Sequence, residues 1–279
     1  MKKLKLIMGI LLLAIAFFLF LFPIRMNIYP KFHTHALLSV DNIHVNGTPS
    51  GTELSKSSWW FGTVGTKNGI LMVKNKFEVE TLTDQHIFSV ERFYGIDPQT
   101  GAHIPGYGDH NRTGYFFAPQ HLSEGQSFTY WHVNYDTPAH MQFIGKEKIE
   151  RLTVYRYQAL FDTDQTTELN SLPDVPEKYG ITLEVNLTLL VEPVTGHFIT
   201  YEDHANAYYY DSKTHERLHK WNEFSNRMTL PMIHSHIIFA KLMKYMILSV
   251  QKILPISFAI LGMTLILLQF VPKKHRKKR

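Results

Sequence analysis

Two stretches of the chain, residues 6–24 and 253–271, each run 19 positions without a charge. At about 1.5 Å of rise per residue each makes roughly 28 Å of helix, which matches the ~30 Å hydrocarbon core of a bilayer. The pattern therefore predicts two transmembrane helices. The first ends Phe17-Phe18-Leu19-Phe20-Leu21-Phe22-Pro23, where signal cleavage would need small residues, so it reads as an uncleaved signal anchor. The second carries Pro255 in its first turn, where a missing N–H is tolerated. Just before it, residues 236–252 are apolar, with Lys241, Lys244 and Lys252 near one helical face. That segment is expected to be a juxtamembrane amphipathic helix or stalk, lying on the membrane surface or packed on the outer domain.

Residues 25–235 show a different texture. Ile70–Thr83, Gln85–Tyr94, Gln126–Tyr135, Ile149–Phe161, Ile181–Val191 and His197–Tyr201 are rich in Val, Ile, Thr, Tyr and Phe, as strands are. Glu184, Asn186 and Thr188 alternate with Leu183, Val185, Leu187 and Leu189, the signature of a half-buried strand. Thr163–Tyr179 reads as an exposed excursion between strands. The expected fold is a mainly β extracytoplasmic domain, an antiparallel sandwich or open barrel, between two transmembrane α-helices. Asp97-Pro98-Gln99-Thr100-Gly101 and Glu192-Pro193-Val194-Thr195-Gly196 share one turn pattern. Each is followed by a histidine, an isoleucine, a tyrosine and Asp-His. Turn chemistry is restricted enough that two such hairpins of separate origin are the simpler expectation.

The charge balance changes the picture only once it is located. The formal charge is +5, but 9 of the 29 Lys and Arg lie in two basic tails, residues 1–5 and 272–279. The chain between them holds 20 basic against 24 acidic residues, so nucleic-acid binding loses its support. Basic residues flanking a span stay cytoplasmic, which predicts a two-pass plasma-membrane protein with both tails inside and the β domain outside. With no cysteine, disulfides, thiolate metal sites and thiol nucleophiles are excluded.

Candidate chemistry is sparse. His215-Glu216-Arg217-Leu218-His219 fits the zinc-protease pattern, in which one helical turn aims two imidazoles at a metal. Its surroundings read instead as a hairpin, which would hold the two histidines some 13 Å apart. His33 with His35 and His234 with His236 flank the outer domain; on a strand each pair would share a face and could offer imidazoles to a metal or a proton. Trp59, Trp60, Tyr130 and Trp131 are candidate ligand-lining aromatics, with packing in the core as the simpler role. No catalytic residues and no cofactor are indicated, because phosphate loops, dinucleotide fingerprints and nucleophile elbows are missing from the sequence.

Leu189-Leu190-Val191-Glu192-Pro193-Val194-Thr195-Gly196, the earlier Asp97–Gly101 turn and Phe143-Ile144-Gly145-Lys146-Glu147-Lys148-Ile149 leading to Tyr155-Arg156-Tyr157 resemble the PorA-family envelope proteins of unknown function, which are common in actinobacteria. The resemblance implies a membrane-bound envelope protein and no catalytic residues. Two helices alone cannot enclose a pore, and the outer segments lack the lipid-facing band of a membrane barrel. The layout is also similar to that of class B scavenger receptors, whose outer β domain carries lipid. The expected function is therefore a non-catalytic envelope protein whose β domain binds or conducts an apolar, lipid-like ligand. The alternative is a surface scaffold for another envelope protein or a glycan, and a zinc protease is the remote third.

Overall fold

The computed structural model describes residues 2–22, 33–169, 176, 178–268 and 270. It divides into two compact units, one of Met1–Met26 with Leu242–Arg279 and the other of Asn27–Lys241. In the first, helix α1 (Lys2–Leu21) packs against helix α4 (Leu254–Leu267). They meet where Gly9 and Gly262 face each other: a Cβ on Gly262 would stand 2.8 Å from the Gly9 carbonyl oxygen. Such small-residue crossings let apolar helices approach backbone to backbone. Helix α3 (Leu230–Leu248) precedes α4 and is joined to it by a π-helical turn, Ser249–Ile253. That turn carries Ser249, Gln251 and Lys252 at the junction where the stalk was expected to give way to the span. Lys3–Leu21 and Leu230–Leu267 are long and apolar enough to cross a membrane. Pro23, Ile24 and the basic tail 272–279 lie outside the described residues.

Among the described residues, the second unit is an antiparallel sheet of eleven strands. Its members are β1 (His33–Val45), β2 (Thr48–Lys67), β3 (Ile70–Thr81), β4 (His86–Ile96), β5 (His103–Gly108), β6 (Phe128–His132), β7 (Thr137–Ile149), β8 (Leu152–Asp164), β9 (Tyr179–Glu192), β10 (His197–Asp211) and β11 (Arg217–Met228). Their order is β5-β4-β3-β2-β1-β11-β10-β9-β8-β7-β6, one open sheet rather than a two-sheet sandwich. A four-residue helix α2 (Thr166–Leu169) begins the expected excursion, of which residues 170–175 and 177 lie outside the described residues. Strand β9 alternates as read from the sequence, with Leu183, Val185, Leu187 and Leu189 buried and Asn186 exposed. Strands β2 and β11 carry little of the β-branched signal, yet β2 pairs β1 and β3 and β11 pairs β1 and β10, near the middle of the sheet. Cross-strand pairing on both sides makes strands of Ser, Gly and Asn-rich sequence that propensity alone leaves unmarked.

Part of the β5–β6 connection packs into the interior. The connection from β5 to β6 places Phe116, Ala118 and Leu122 in one core with residues from ten of the strands. Phe116 meets Phe61 and Tyr94 edge to face at 5.3 and 4.8 Å, and Phe117 meets Phe198 at 5.9 Å. Backbone bonds tie this segment to both Pro-Thr-Gly turns: Phe116 N–H donates to Gly101 O at 2.9 Å, and Leu122 N–H to Pro193 O at 2.8 Å.

The two turns belong to a larger repeat. In each, the carboxylate of Asp97 or Glu192 accepts from the backbone N–H and hydroxyl of Thr100 or Thr195, and Gly101 or Gly196 takes φ near +70°. Upstream, β2 and β7 each break register at a glycine, Gly65 and Gly145. Gly65 registers with Met72, which registers with Gly95, two residues before Asp97; Gly145 registers with Arg156, which registers with Leu190, two residues before Glu192. The same register relation therefore recurs across β2–β5 and β7–β10.

Candidate functional site

Asp203 lies on β10 and is fully buried. Four donors converge on its carboxylate. The Tyr201 hydroxyl donates to Oδ2, as does Tyr135 at 3.2 Å, while Asn226 gives Oδ1 its side-chain amide at 2.7 Å and its backbone N–H at 3.2 Å. Because the Tyr201 proton is committed to Asp203, its oxygen accepts from His132 Nε2–H at 2.9 Å. His132 Nδ1 is then the acceptor for the Tyr135 N–H at 3.4 Å, which makes the imidazole neutral with one defined tautomer. Burial, reinforced by the charge of Arg92, holds His132 down at about 3. Burial likewise pushes the Asp203 carboxyl above its ordinary value against the pull of Tyr201, Asn226 and Tyr135. The network continues outward from Asn226, whose Oδ1 accepts from Ser39, and Ser39 Oγ lies 2.7 Å from Ser57 Oγ. It joins β1, β2, β10 and β11 to the loop that follows β6.

A second polar centre surrounds Arg112, whose guanidinium is buried in the β5–β6 connection. It donates from Nε to Asp136 Oδ1 at 2.8 Å, from Nη1 to Asp109 Oδ1 at 2.5 Å and to Phe93 O at 2.8 Å. It also lies 4.1 Å from the Tyr94 ring centroid. Asp136 further accepts from Trp131 Nε1 at 2.7 Å and stands 2.8 Å from His110 Nε2. Burial raises the Asp136 carboxyl, but the bonds from Arg112 and Trp131 outweigh it and leave it below its ordinary value. Burial brings the neighbouring His103 down to about 3. Asp109 and Asp203, the aspartates of the repeated Asp-His pairs, each accept a backbone N–H: that of Phe93 at 2.9 Å and that of Asn226 at 3.2 Å. The repetition was visible in the sequence; their partners, far away along the chain, were not.

The zinc-protease reading is overturned by local geometry. His215 sits in the β10–β11 turn with φ 57°, at the position filled by Gly101 and Gly196 in the sister turns. Asp211 here plays the part of Asp97, its Oδ1 accepting from Lys213 and Thr214 N–H at 2.8 and 2.9 Å. Glu216 follows in the turn, and His219 lies on β11 with its ring 5.4 Å from that of Tyr209. No helix carries the motif. Among the described residues no group of three or more His, Cys, Asp or Glu is placed to hold a metal. His234 and His236 are on helix α3 rather than a strand, so they aim apart. His234 Nδ1 stands 3.4 Å from Glu150 Oε1, and His236 Nδ1 stands 2.7 Å from His197 Nε2. His33 and His35 lie on β1, with side chains outside the described residues.

Of the four candidate aromatics, Trp59, Tyr130 and Trp131 are core residues, while Trp60 remains 37% exposed. Trp59 packs edge to face on Tyr201 at 4.6 Å, and its Nε1–H donates to Asn134 Oδ1. A shallow pocket of about 340 Å³ opens between β8, β9 and β10, lined by Leu160, Asp162, Glu184, Asn186, His204 and Asn206 among others. Its lining joins Leu160, Phe161 and Val185 to two acids, two asparagines and a histidine, a more polar wall than an acyl-chain cavity presents.

A family model described as porin PorA matches residues 107–271. No curated protein matches the chain. Among solved structures, a protein named as thioesterase II from Thermobifida fusca YX is 9% identical over 70% of this chain and 80% of its own, with a TM-score of 0.14. An acyl-CoA thioesterase II from Mycobacterium marinum is 8% identical over 73% and 84%, with a TM-score of 0.13. Likenesses this slight carry no argument about fold or activity.

Proposed function

The chain belongs to the porin PorA family, and from that premise we propose that it is a non-catalytic, two-pass envelope protein whose β domain acts through its surface, as an interaction module for another envelope protein or a glycan. Family membership, the β fold and two long apolar helices fit a membrane-associated envelope protein. The observation that favours surface action over carriage of an apolar ligand is that Trp59, Tyr130 and Trp131, the aromatics expected to line a ligand groove, are packed in one core with Phe116. The sheet also does not offer lipid a continuous apolar band, since Glu184, Asn186 and Thr188 on β9 and Glu202 and His204 on β10 face away from the core.

Two measurements test the proposal. Full-length protein purified in detergent is extracted and analysed by mass spectrometry; the expected result is no lipid retained in stoichiometric amount, and a stoichiometric lipid returns the function to carriage. For topology, the cysteine-free chain allows single cysteines to report sidedness. Ser127→Cys should react with an impermeant reagent in intact cells, and Lys277→Cys only after permeabilisation. Labelling of Lys277→Cys in intact cells would reject two cytoplasmic tails.

A further inference from the structure

His197 begins β10 immediately after the Glu192–Gly196 turn, and His236 lies one turn and a half into α3. Their ring nitrogens are 2.7 Å apart and the rings are nearly parallel, with centroids at 4.7 Å. His236 is only 5% exposed, and Phe239 covers His197 from the same helix at 4.9 Å. The contact sits beside the apolar seam in which Ile237 and Ala240 of α3 pack with Leu152, Val154, Leu190 and Ile199 of the sheet. We propose that the His197–His236 pair is an acid-sensitive clamp that holds the first turns of α3 on the β domain while the pair is neutral and releases them when both rings are protonated.

The chemistry lies in the number of protons the contact accommodates. At this separation one imidazole N–H donates to the lone pair of the other, so one nitrogen must be bare. A proton on each ring removes the acceptor and sets two cations together, and the pair titrates as a unit in two steps. An unperturbed histidine changes charge near pH 6.5, so the second step is displaced to more acidic pH.

The surrounding charges offset that repulsion only in part. On α3, His234 and Lys241 are both directed to Glu150 of the β7–β8 turn, at 3.4 and 3.3 Å. On β9, Glu192 registers with His197 but accepts from the Thr195 N–H and hydroxyl at 2.8 and 2.9 Å. On β8, Arg156 is paired with Glu147. Glu150 is engaged by two cations of the helix, which leaves the single carboxylate of Glu192, registered with His197, against two imidazolium charges.

The experiment uses the full chain in lipid nanodiscs, with amide hydrogen exchange read at residues 232–241 from pH 7.5 to pH 5.0 and corrected for intrinsic exchange. The clamp predicts at least a tenfold acceleration in this segment while β9 stays protected. The double variant His197→Gln with His236→Asn, which preserves a neutral amide contact, should lose that pH dependence. Unchanged protection in the native chain at pH 5.0, or an identical response in the variant, overturns the proposal. If the variant fails to fold, ¹⁵N imidazole titration of the native chain decides: two steps more than one unit apart support the clamp, and two coincident steps near 6.5 refute it. None of these readouts depends on whether the β domain binds protein, glycan or lipid.

Discussion

Replacing Asp203 by Asn tests the buried network at its centre. The carboxylate accepts from Tyr201, Tyr135 and twice from Asn226. An amide of the same shape offers one oxygen, so two of those donors meet an N–H instead. If the amide nitrogen faces the tyrosines, the Tyr201 proton must turn to His132 Nε2. That forces the other tautomer and sets His132 Nδ1–H against the Tyr135 N–H, now 3.4 Å away as a donor. If it faces Asn226, the clash is with the Asn226 amide and backbone N–H. Each buried donor left without an acceptor costs about 1–3 kcal/mol, so the substitution should cost about 3 kcal/mol. For a domain of this size that corresponds to a fall in Tm of roughly 6–12 °C. The assay is thermal unfolding of the full chain in detergent, followed by far-UV circular dichroism. Tyr135→Phe, which removes one donor and leaves three, should cost about half as much. Asp203→Asn within 2 °C of the native protein, or above it, would refute the reasoning and mean that burying the carboxylate costs more than its donors return, the balance toward which its raised pKa leans.

Stability should fall as pH drops from about 6.5 toward 4. His132 and His103 are held near 3 when folded, so below their unfolded pKa only the unfolded chain takes up their protons, at about 1.4 kcal/mol per pH unit for each; denaturant midpoints that stay flat over that range would contradict it. Gly196→Ala should be far more damaging than Gly69→Ala. Both sites have positive φ, but a Cβ at Gly196 would stand 2.2 Å from Ala118 O, whereas one at Gly69 meets nothing within 4 Å; comparable Tm losses of a few degrees at both sites would argue against the packed segment between the turns. Gly262→Leu should loosen the α1–α4 crossing, since even a Cβ at Gly262 would stand 2.8 Å from the Gly9 carbonyl oxygen, and an unchanged Tm in detergent would argue against that backbone-to-backbone approach. Chelation should leave Tm unchanged, and a stoichiometric zinc whose removal lowers it would reopen the histidine motif.

Elements whose cause is local are legible along the chain. An uncharged run of 19 residues becomes an apolar helix because no other conformation satisfies its backbone without water. The Leu183–Leu189 alternation becomes a strand with one face inside because its period is two. The Pro-Thr-Gly turns form because proline, threonine and glycine each meet a backbone need within five residues. Even the failure of the zinc motif was legible in the hairpin around it, although not the particular reason, that His215 fills a glycine position. Tertiary structure alone decided what depends on partners far apart in the chain. Ser and Gly-rich β2, and β11 with no β-branched residue, are strands because neighbours complete their hydrogen bonds. Trp59, Tyr130 and Trp131 are core rather than groove because residues 114–122 fold into the sheet. Asp203 and Arg112 are hubs because their ligands arrive from several separate elements. His197 and His236 touch because α3 turns back onto β10, a contact that 39 residues of sequence separation conceal.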